Sequence, residues 1–196
     1  MNTAAQEINT DIVNGLDTNH VTTLAGKIQE DESYGKFRFR AHNRWINGAK
    51  SKTSIKGFFA GGKEDSDRTQ ALFVDADQPA FLGGDNTAPN SVEHLLHALT
   101  SCLTTTLTYH AAVQGITIGA IETSAEGELN SRGFFGLSED VSKGYERIRV
   151  TMRVASQASV ETLTALAMHS PVYEIVSKAV PVDFTLLTSQ EIMGSE

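Results

Sequence analysis

The 196-residue sequence predicts an α+β fold with the element order β-β-β-α-β-β-α-β. Three observations carry that expectation. Ser91 to Gln114 reads as one helix that is apolar nearly all round, which places it at the centre of a fold and not on its surface. Before it, charged and aromatic residues alternate from Lys36 to Arg40, and Asn47-Gly48 marks a hairpin turn. After it, Ile116 to Leu129 and Tyr145 to Ala155 read as two long strands.

Taken in order, residues 1–17 are polar and without period, and a frayed leader is expected there. Val21, Leu24 and Ile28 fall at helical spacing, which predicts a short helix from Thr18 to about Gln29. Asp31, Glu32 and Ser33 break it. Lys36 to Arg40 is expected as a strand with one face buried. Thr53 to Phe59 should return from the Asn47-Gly48 turn, Gly61 to Asp67 should be an exposed loop, and Ala71 to Val74 a third strand. Leu82 to Asn90 is turn-rich. Asn90 suits a helix N-cap, with Glu93 placed three residues on as a capping box requires. Gly115 stops the long helix. A Gly- and Ser-rich loop, Asn130 to Gly144, separates the two long strands. Ser159 to about Met168 is a second helix, Pro171 opens another helical piece through Val176, and Val180 to Leu186 closes with a strand. The expected organisation is an extension with a short helix (1–35), one domain (36–190) and a tail (191–196).

A net charge of −8 argues against nucleic acid as a partner, because phosphate binding needs Lys and Arg in excess. No run approaches the roughly 18 apolar residues that a membrane span needs, so no membrane association is expected. The N-terminal residues show no basic start followed by an apolar run, so no secretory leader is expected. One cysteine cannot form an internal disulfide, which fits a reducing, cytoplasmic location.

That cysteine, Cys102, lies well inside the long helix. With about 100° per residue, Leu95, Leu99, Thr105, Thr106 and Tyr109 share its face. The face has an apolar end, two hydroxyls and a phenol. Cys102 is either a small buried hydrophobe or a thiolate nucleophile, and the second needs a cation from elsewhere in the fold. Glu93, His94 and His97 could together face a metal, but their spacing matches no metal-binding pattern, and neither metal nor cofactor is expected. No G-x-S-x-G stretch exists to suggest a serine hydrolase. Gly61-Gly62 and Gly83-Gly84 lack the spacing of a dinucleotide site.

The run Asn90-Ser91-Val92-Glu93-His94-Leu95-Leu96-His97-Ala98-Leu99-Thr100-Ser101-Cys102-Leu103 resembles the central cysteine helix of the OsmC/Ohr family. Tyr109-His110, Gly115-Ile116, Phe81-Leu82-Gly83-Gly84-Asp85, the Trp45-Ile46-Asn47-Gly48 hairpin, Ser170-Pro171-Val172-Tyr173 and Val180-Pro181-Val182 resemble it too, in order and spacing, over about Phe37 to Leu187. The resemblance implies an intertwined homodimer with long central helices wrapped by sheets from both chains. It also implies reduction of organic hydroperoxides: a peroxidatic cysteine attacks the peroxide, a second cysteine resolves it, an Arg–Glu pair holds the thiolate, and dithiols restore the enzyme.

Cys102 matches the peroxidatic position, and Ser170 stands where the resolving cysteine is expected. Val92 occupies the place of the activating glutamate, with Glu93 one residue late and about 180° from Cys102. Arg44, at the hairpin, is the arginine candidate. The catalytic set expected from the resemblance is therefore Cys102, Arg44 and Glu93, with Leu95, Leu99, Thr105, Thr106, Tyr109 and Ser170 around the substrate. Such a chain resembles an OsmC-like subgroup without a resolving cysteine. It would be a one-cysteine, thiol-dependent hydroperoxide reductase, or a protein that kept the fold and binds an apolar small molecule at the dimer interface, with Phe81, Phe134 and Phe135 as wall residues.

Overall fold

The computed structural model describes residues 11–188. The chain begins with a tight hairpin, β1 (Ile12–Val13) and β2 (Leu16–Asp17), followed by α1 (Thr18–Glu30) and a 3₁₀ turn (Glu32–Gly35). Short strands follow: β3 (Arg38–Phe39), β4 (His42–Asn47), β5 (Lys50–Ile55), β6 (Phe58–Ala60), β7 (Lys63–Glu64) and β8 (Leu72–Ala76). A 3₁₀ turn (Ala80–Leu82) leads to the long helix α2 (Ser91–Val113), then β9 (Ala120–Leu129), α3 (Ser131–Phe134), β10 (Tyr145–Ala155), α4 (Val160–Ala167), α5 (Pro171–Ala179) and β11 (Val182–Thr188). Two compact units result, one holding the chain up to Thr22 and from Leu96 onward, the other Thr23–Leu95.

In the first unit, β9 and β11 flank β10, antiparallel and parallel to it respectively. Alternation along β10 is clean. Ile148, Val150, Met152 and Val154 are buried, while Arg147, Arg149 and Arg153 face solvent. The charged face pairs its residues across strands, Arg147 with Asp183 at 2.7 Å and Arg149 with Glu128 at 2.6 Å. The apolar face packs with one stripe of α2, Leu99, Leu103, Leu107 and Ala111, and with Leu163, Leu166 and Val176 of α4 and α5. Four-residue steps put those α2 side chains on one side of the helix. The opposite flank is open in the single chain, with Tyr109 and Val113 exposed.

The residues before Thr18 do not fray where they are described. Asn14 and Gly15 take φ of 53° and 78°, the left-handed pair that a type I′ hairpin turn needs. Asn14 also ties the hairpin down: its side chain donates to the Ile116 carbonyl at 2.9 Å and accepts from the Ile118 N–H at 2.8 Å. Part of the expected leader and the whole expected tail 191–196 lie outside the described residues.

Differences from the sequence expectations concentrate in the second unit. Only Arg38–Phe39 forms a strand in the 36–40 segment, and both residues are exposed, because no element of the single chain covers them. The strand returning from Asn47-Gly48 begins at Lys50, and Phe58–Ala60 leaves it to pair with β3. Gly61-Gly62, expected in an open loop, instead turns β6 into β7. Among the described residues this unit buries no apolar side chain; its buried residues are Asp77 and Asn90.

Those two polar residues hold the approach to α2. Asp77 accepts from the N–H of Gln78 and from both the N–H and the hydroxyl of Thr87. The Thr87 N–H is the main cause of a carboxyl pKa below the usual range. A Cβ at Gly84 would collide with the carbonyl of Gln78, so the tight path there requires glycine. Asn90 Oδ1 accepts from the N–H of Val92 at 3.1 Å and of Glu93 at 2.9 Å, and Glu93 Oε2 accepts from the Asn90 N–H at 2.7 Å. This is the expected capping box. Asn90→Ala should lower stability by about 1 kcal/mol, seen as a lower urea midpoint with an unchanged slope. The helix ends in a Schellman pair, Ile116 N–H to Ala111 and Gly115 N–H to Ala112.

Candidate active site around Cys102

The open side of α2, away from its buried stripe, carries Cys102, Thr105, Thr106 and Tyr109. Cys102 is half-buried and is the only cysteine. Its Sγ lies 4.0 Å from Thr106 Oγ1, one helical turn on. Both side chains open on a cavity of about 290 Å³ lined also by Thr105, Tyr109, His110, His169 and Pro171. Thr104, on the neighbouring side, exchanges a hydroxyl hydrogen bond of 2.7 Å with Thr123 of β9, which fixes the helix against the sheet.

Four expected site residues thus come together: Cys102, Thr105, Thr106 and Tyr109. The others do not line this cavity. Leu99, expected to face the substrate, is fully buried in the core instead. Its position, about 60° from Cys102 on the wheel, turns it towards the sheet. Ser170 is also fully buried. Its hydroxyl accepts from the Tyr173 N–H at 3.2 Å and caps α5. Leu95, Glu93 and Arg44 belong to the other unit. Leu95 is exposed, and the Glu93 carboxylate serves the capping box. Arg44 stands on β4 opposite Lys52, and its side chain makes no ion pair or hydrogen bond among the described residues. Phe81, Phe134 and Phe135 stand in solvent in the single chain. His94 donates through Nε2 to the Asp75 carbonyl at 2.9 Å, and no cluster of metal-ligating side chains exists among the described residues.

The residues that sequence reasoning missed are the two histidines. His110 and His169 stack with centroids 4.5 Å apart and planes 17° from parallel, forming a flat wall of the cavity. One signal was available: His169 directly precedes Ser170-Pro171, the pair aligned with the family's resolving position. Nothing in the spacing joined it to His110, because that contact crosses from α2 to the turn before α5.

Burial pushes the His110 imidazole below its ordinary value near 6.5, and the adjacent His169 ring pushes it the same way. A depressed histidine binds its proton more readily in the unfolded chain. Its contribution to stability is therefore intact above about pH 6.5 and is lost as pH falls through the lower folded-state value. Urea midpoints measured across this window should fall with pH, and His110→Gln should flatten that part of the profile.

The fold is that of an α+β protein with a single half-buried thiol on its long helix. A sequence profile of the family described as "OsmC-like protein" matches residues 84–185, more than half of the chain, and the chain belongs to that family. Solved structures agree on the fold. An OsmC-like protein from Mycoplasma pneumoniae superposes with a TM-score of 0.57 at 14% identity, covering 77% of this chain and 96% of its own. An organic hydroperoxide resistance protein from Elizabethkingia anophelis, crystallised with thiocyanate bound, gives 0.56 at 15% identity over 77% and 96%. One from Legionella pneumophila gives 0.52 at 18% identity over 76% and 96%. No match is found among curated protein sequences. No helix among the described residues is long and apolar enough to cross a membrane.

Proposed function

We propose that this chain is a one-cysteine, thiol-dependent reductase of organic hydroperoxides. The observation that carries the reading is the placement of the lone thiol. Cys102 opens on a cavity with two threonine hydroxyls and a phenol, while Ser170 caps a helix and cannot form a disulfide. Family membership and the hydroperoxide-resistance relatives support it.

In the proposed cycle the Cys102 thiolate attacks the outer oxygen of ROOH. The O–O bond breaks, a proton passes to the leaving alkoxide, and the products are ROH and Cys102 sulfenic acid. A first external thiol displaces water to give a mixed disulfide. A second reduces that disulfide, releasing the oxidised thiol pair and the Cys102 thiol. Thr105, Thr106 and Tyr109 hold the peroxide oxygens. A cation must favour the thiolate, and Arg44, unpaired among the described residues, is the one the family resemblance points to.

The protein acts as a homodimer in this reading. The second unit leaves Trp45, Leu72 and Val74 exposed on one face of its sheet in the single chain, and a second copy would cover them. The lone thiol suits a reducing, cytoplasmic setting.

A second reading has its own support. Among the described residues no lysine, arginine or carboxylate lines the Cys102 cavity. A catalytically silent protein that binds an apolar small molecule at the dimer interface would look the same. Intact mass after brief exposure to stoichiometric cumene hydroperoxide, with a sulfenic-acid trap, separates the two. Rapid trapping on Cys102, well above the rate of a free thiol, sustains the reductase. An unmodified mass after minutes moves the reading to ligand binding.

A further inference from the structure

Strand register sets Arg44 directly opposite Lys52, and the next pair on the same face is His42 opposite Ser54. Like charges placed opposite each other destabilise an antiparallel pair. Lys52 is relieved on its other side by Asp75, its register partner on β8, with Nζ 3.3 Å from Oδ1. Arg44 has no such relief among the described residues, although Lys50 and Arg40 nearby are paired with Asp85 and Glu64. Carboxylates are plentiful, with 24 acidic against 16 basic residues, so the bare arginine does not reflect a shortage of acids.

Arg44 and Lys52 line a concavity of about 280 Å³ with His42, Ser54 and Phe73. The guanidinium, ammonium and hydroxyl groups all present donors, the imidazole can add another, and no carboxylate among the described residues lines the space. Asp75, paired with Lys52, lines the adjoining concavity together with Arg44, Lys50 and Lys52. Phe73 supplies an apolar wall, its ring centroid 5.5 Å from Lys52 Nζ. A guanidinium fork matches the two oxygens of a carboxylate, an ammonium adds a point charge, and an aromatic ring accepts an apolar body.

We infer that this concavity binds a small organic carboxylate, its head group held by Arg44 and Lys52 and its apolar body lying against Phe73. All five residues belong to the second unit; Arg44 is shared with the thiolate role proposed above, whereas Lys52 and Phe73 are not. Binding should weaken as salt is raised, because both cations are exposed.

Isothermal titration of the full chain tests this with octanoate, octanol and inorganic phosphate at low ionic strength. Octanoate is expected to bind, octanol not measurably, and phosphate more weakly than octanoate. Arg44→Gln and Lys52→Gln should each weaken octanoate by about ten- to a hundredfold, the size of a lost charge-assisted hydrogen bond. Arg44→Lys should recover only part. Phe73→Ala should weaken octanoate and leave phosphate unchanged. Cys102→Ser should bind octanoate as the native chain does, even if no peroxide is reduced. Native-like octanoate binding in both glutamine variants would overturn the site. So would the absence of octanoate binding at millimolar concentration, or equal binding of octanol. Phosphate binding more tightly than octanoate would overturn the organic part and leave a simple anion site. Unfolding midpoints of the variants check that each is folded.

Discussion

Cys102→Ser is expected to reduce hydroperoxide consumption to the rate of buffer and free thiol, with the fold intact. A serine hydroxyl at neutral pH is neither ionised nor a soft nucleophile, and no other cysteine can take over. The native chain should consume two equivalents of a monothiol for each peroxide, through a mixed disulfide visible by mass. The position of Ser170 sharpens the test. His169 and Pro171, which flank it, both line the cavity that Cys102 opens on. Ser170→Cys should therefore form an internal disulfide with Cys102 after one peroxide turnover and shift the preference from monothiols to dithiols. The cost is the α5 cap, about 1 kcal/mol of stability. A variant that oxidises at Cys102 but never closes the disulfide would show that position 170 does not approach the thiol. A native chain whose peroxide consumption is unaffected by Cys102→Ser would end the one-cysteine reading.

The fold and the thiol were legible for different reasons. Local signals that depend on neighbours in sequence survived intact. Asn90 and Glu93 form the capping box that their spacing predicts, Gly115 ends the helix, and Tyr145–Ala155 is one strand as its alternation implies. Most of what sequence alone hid depends on long-range contact, with one local exception. The Asn14-Gly15 turn was overlooked because its short flanks carry little pattern, although Asn-Gly is itself a hairpin signal. The His110–His169 wall was invisible because it joins residues from separate elements. Leu99 shows the limit of a helical wheel. The wheel gives a direction to within about 60°, and that margin separates a cavity wall from the core. The segment 36–40 failed differently. Its alternation does call for a covered face, and the single chain supplies no cover.

Leu103→Ala should destabilise the chain by about 2–5 kcal/mol, a large share of the roughly 5–15 kcal/mol that holds a typical domain. Leu103 is fully exposed to nothing but core: it is buried to 0% and packs in the cluster built on β10. Removing its branched end leaves a cavity in a region where Leu99, Leu107, Ile148 and Met152 are all at 0% and held by a helix and a sheet. Collapse to fill it would have to move backbone. Trp45→Ala offers the contrast. Trp45 is 69% exposed in the single chain, its Nε1 donating to the Gly48 carbonyl at 2.9 Å. Within one chain its removal should cost little. If a second copy covers the sheet of the second unit, the same substitution should weaken the dimer strongly, because a buried tryptophan is a common anchor of an interface. Sedimentation and urea unfolding at several protein concentrations decide between these cases. A midpoint that rises with concentration, and a Trp45→Ala protein that dissociates at concentrations where the native chain does not, are the expected results. A native midpoint independent of concentration, with Trp45→Ala unchanged, would mean that the second unit stands without a partner. In that case its stability would rest on hydrogen bonds, ion pairs and partly buried contacts such as the Phe39–Phe58 ring pair, and the Trp45 fluorescence should be lost at lower urea than the helical signal of α2.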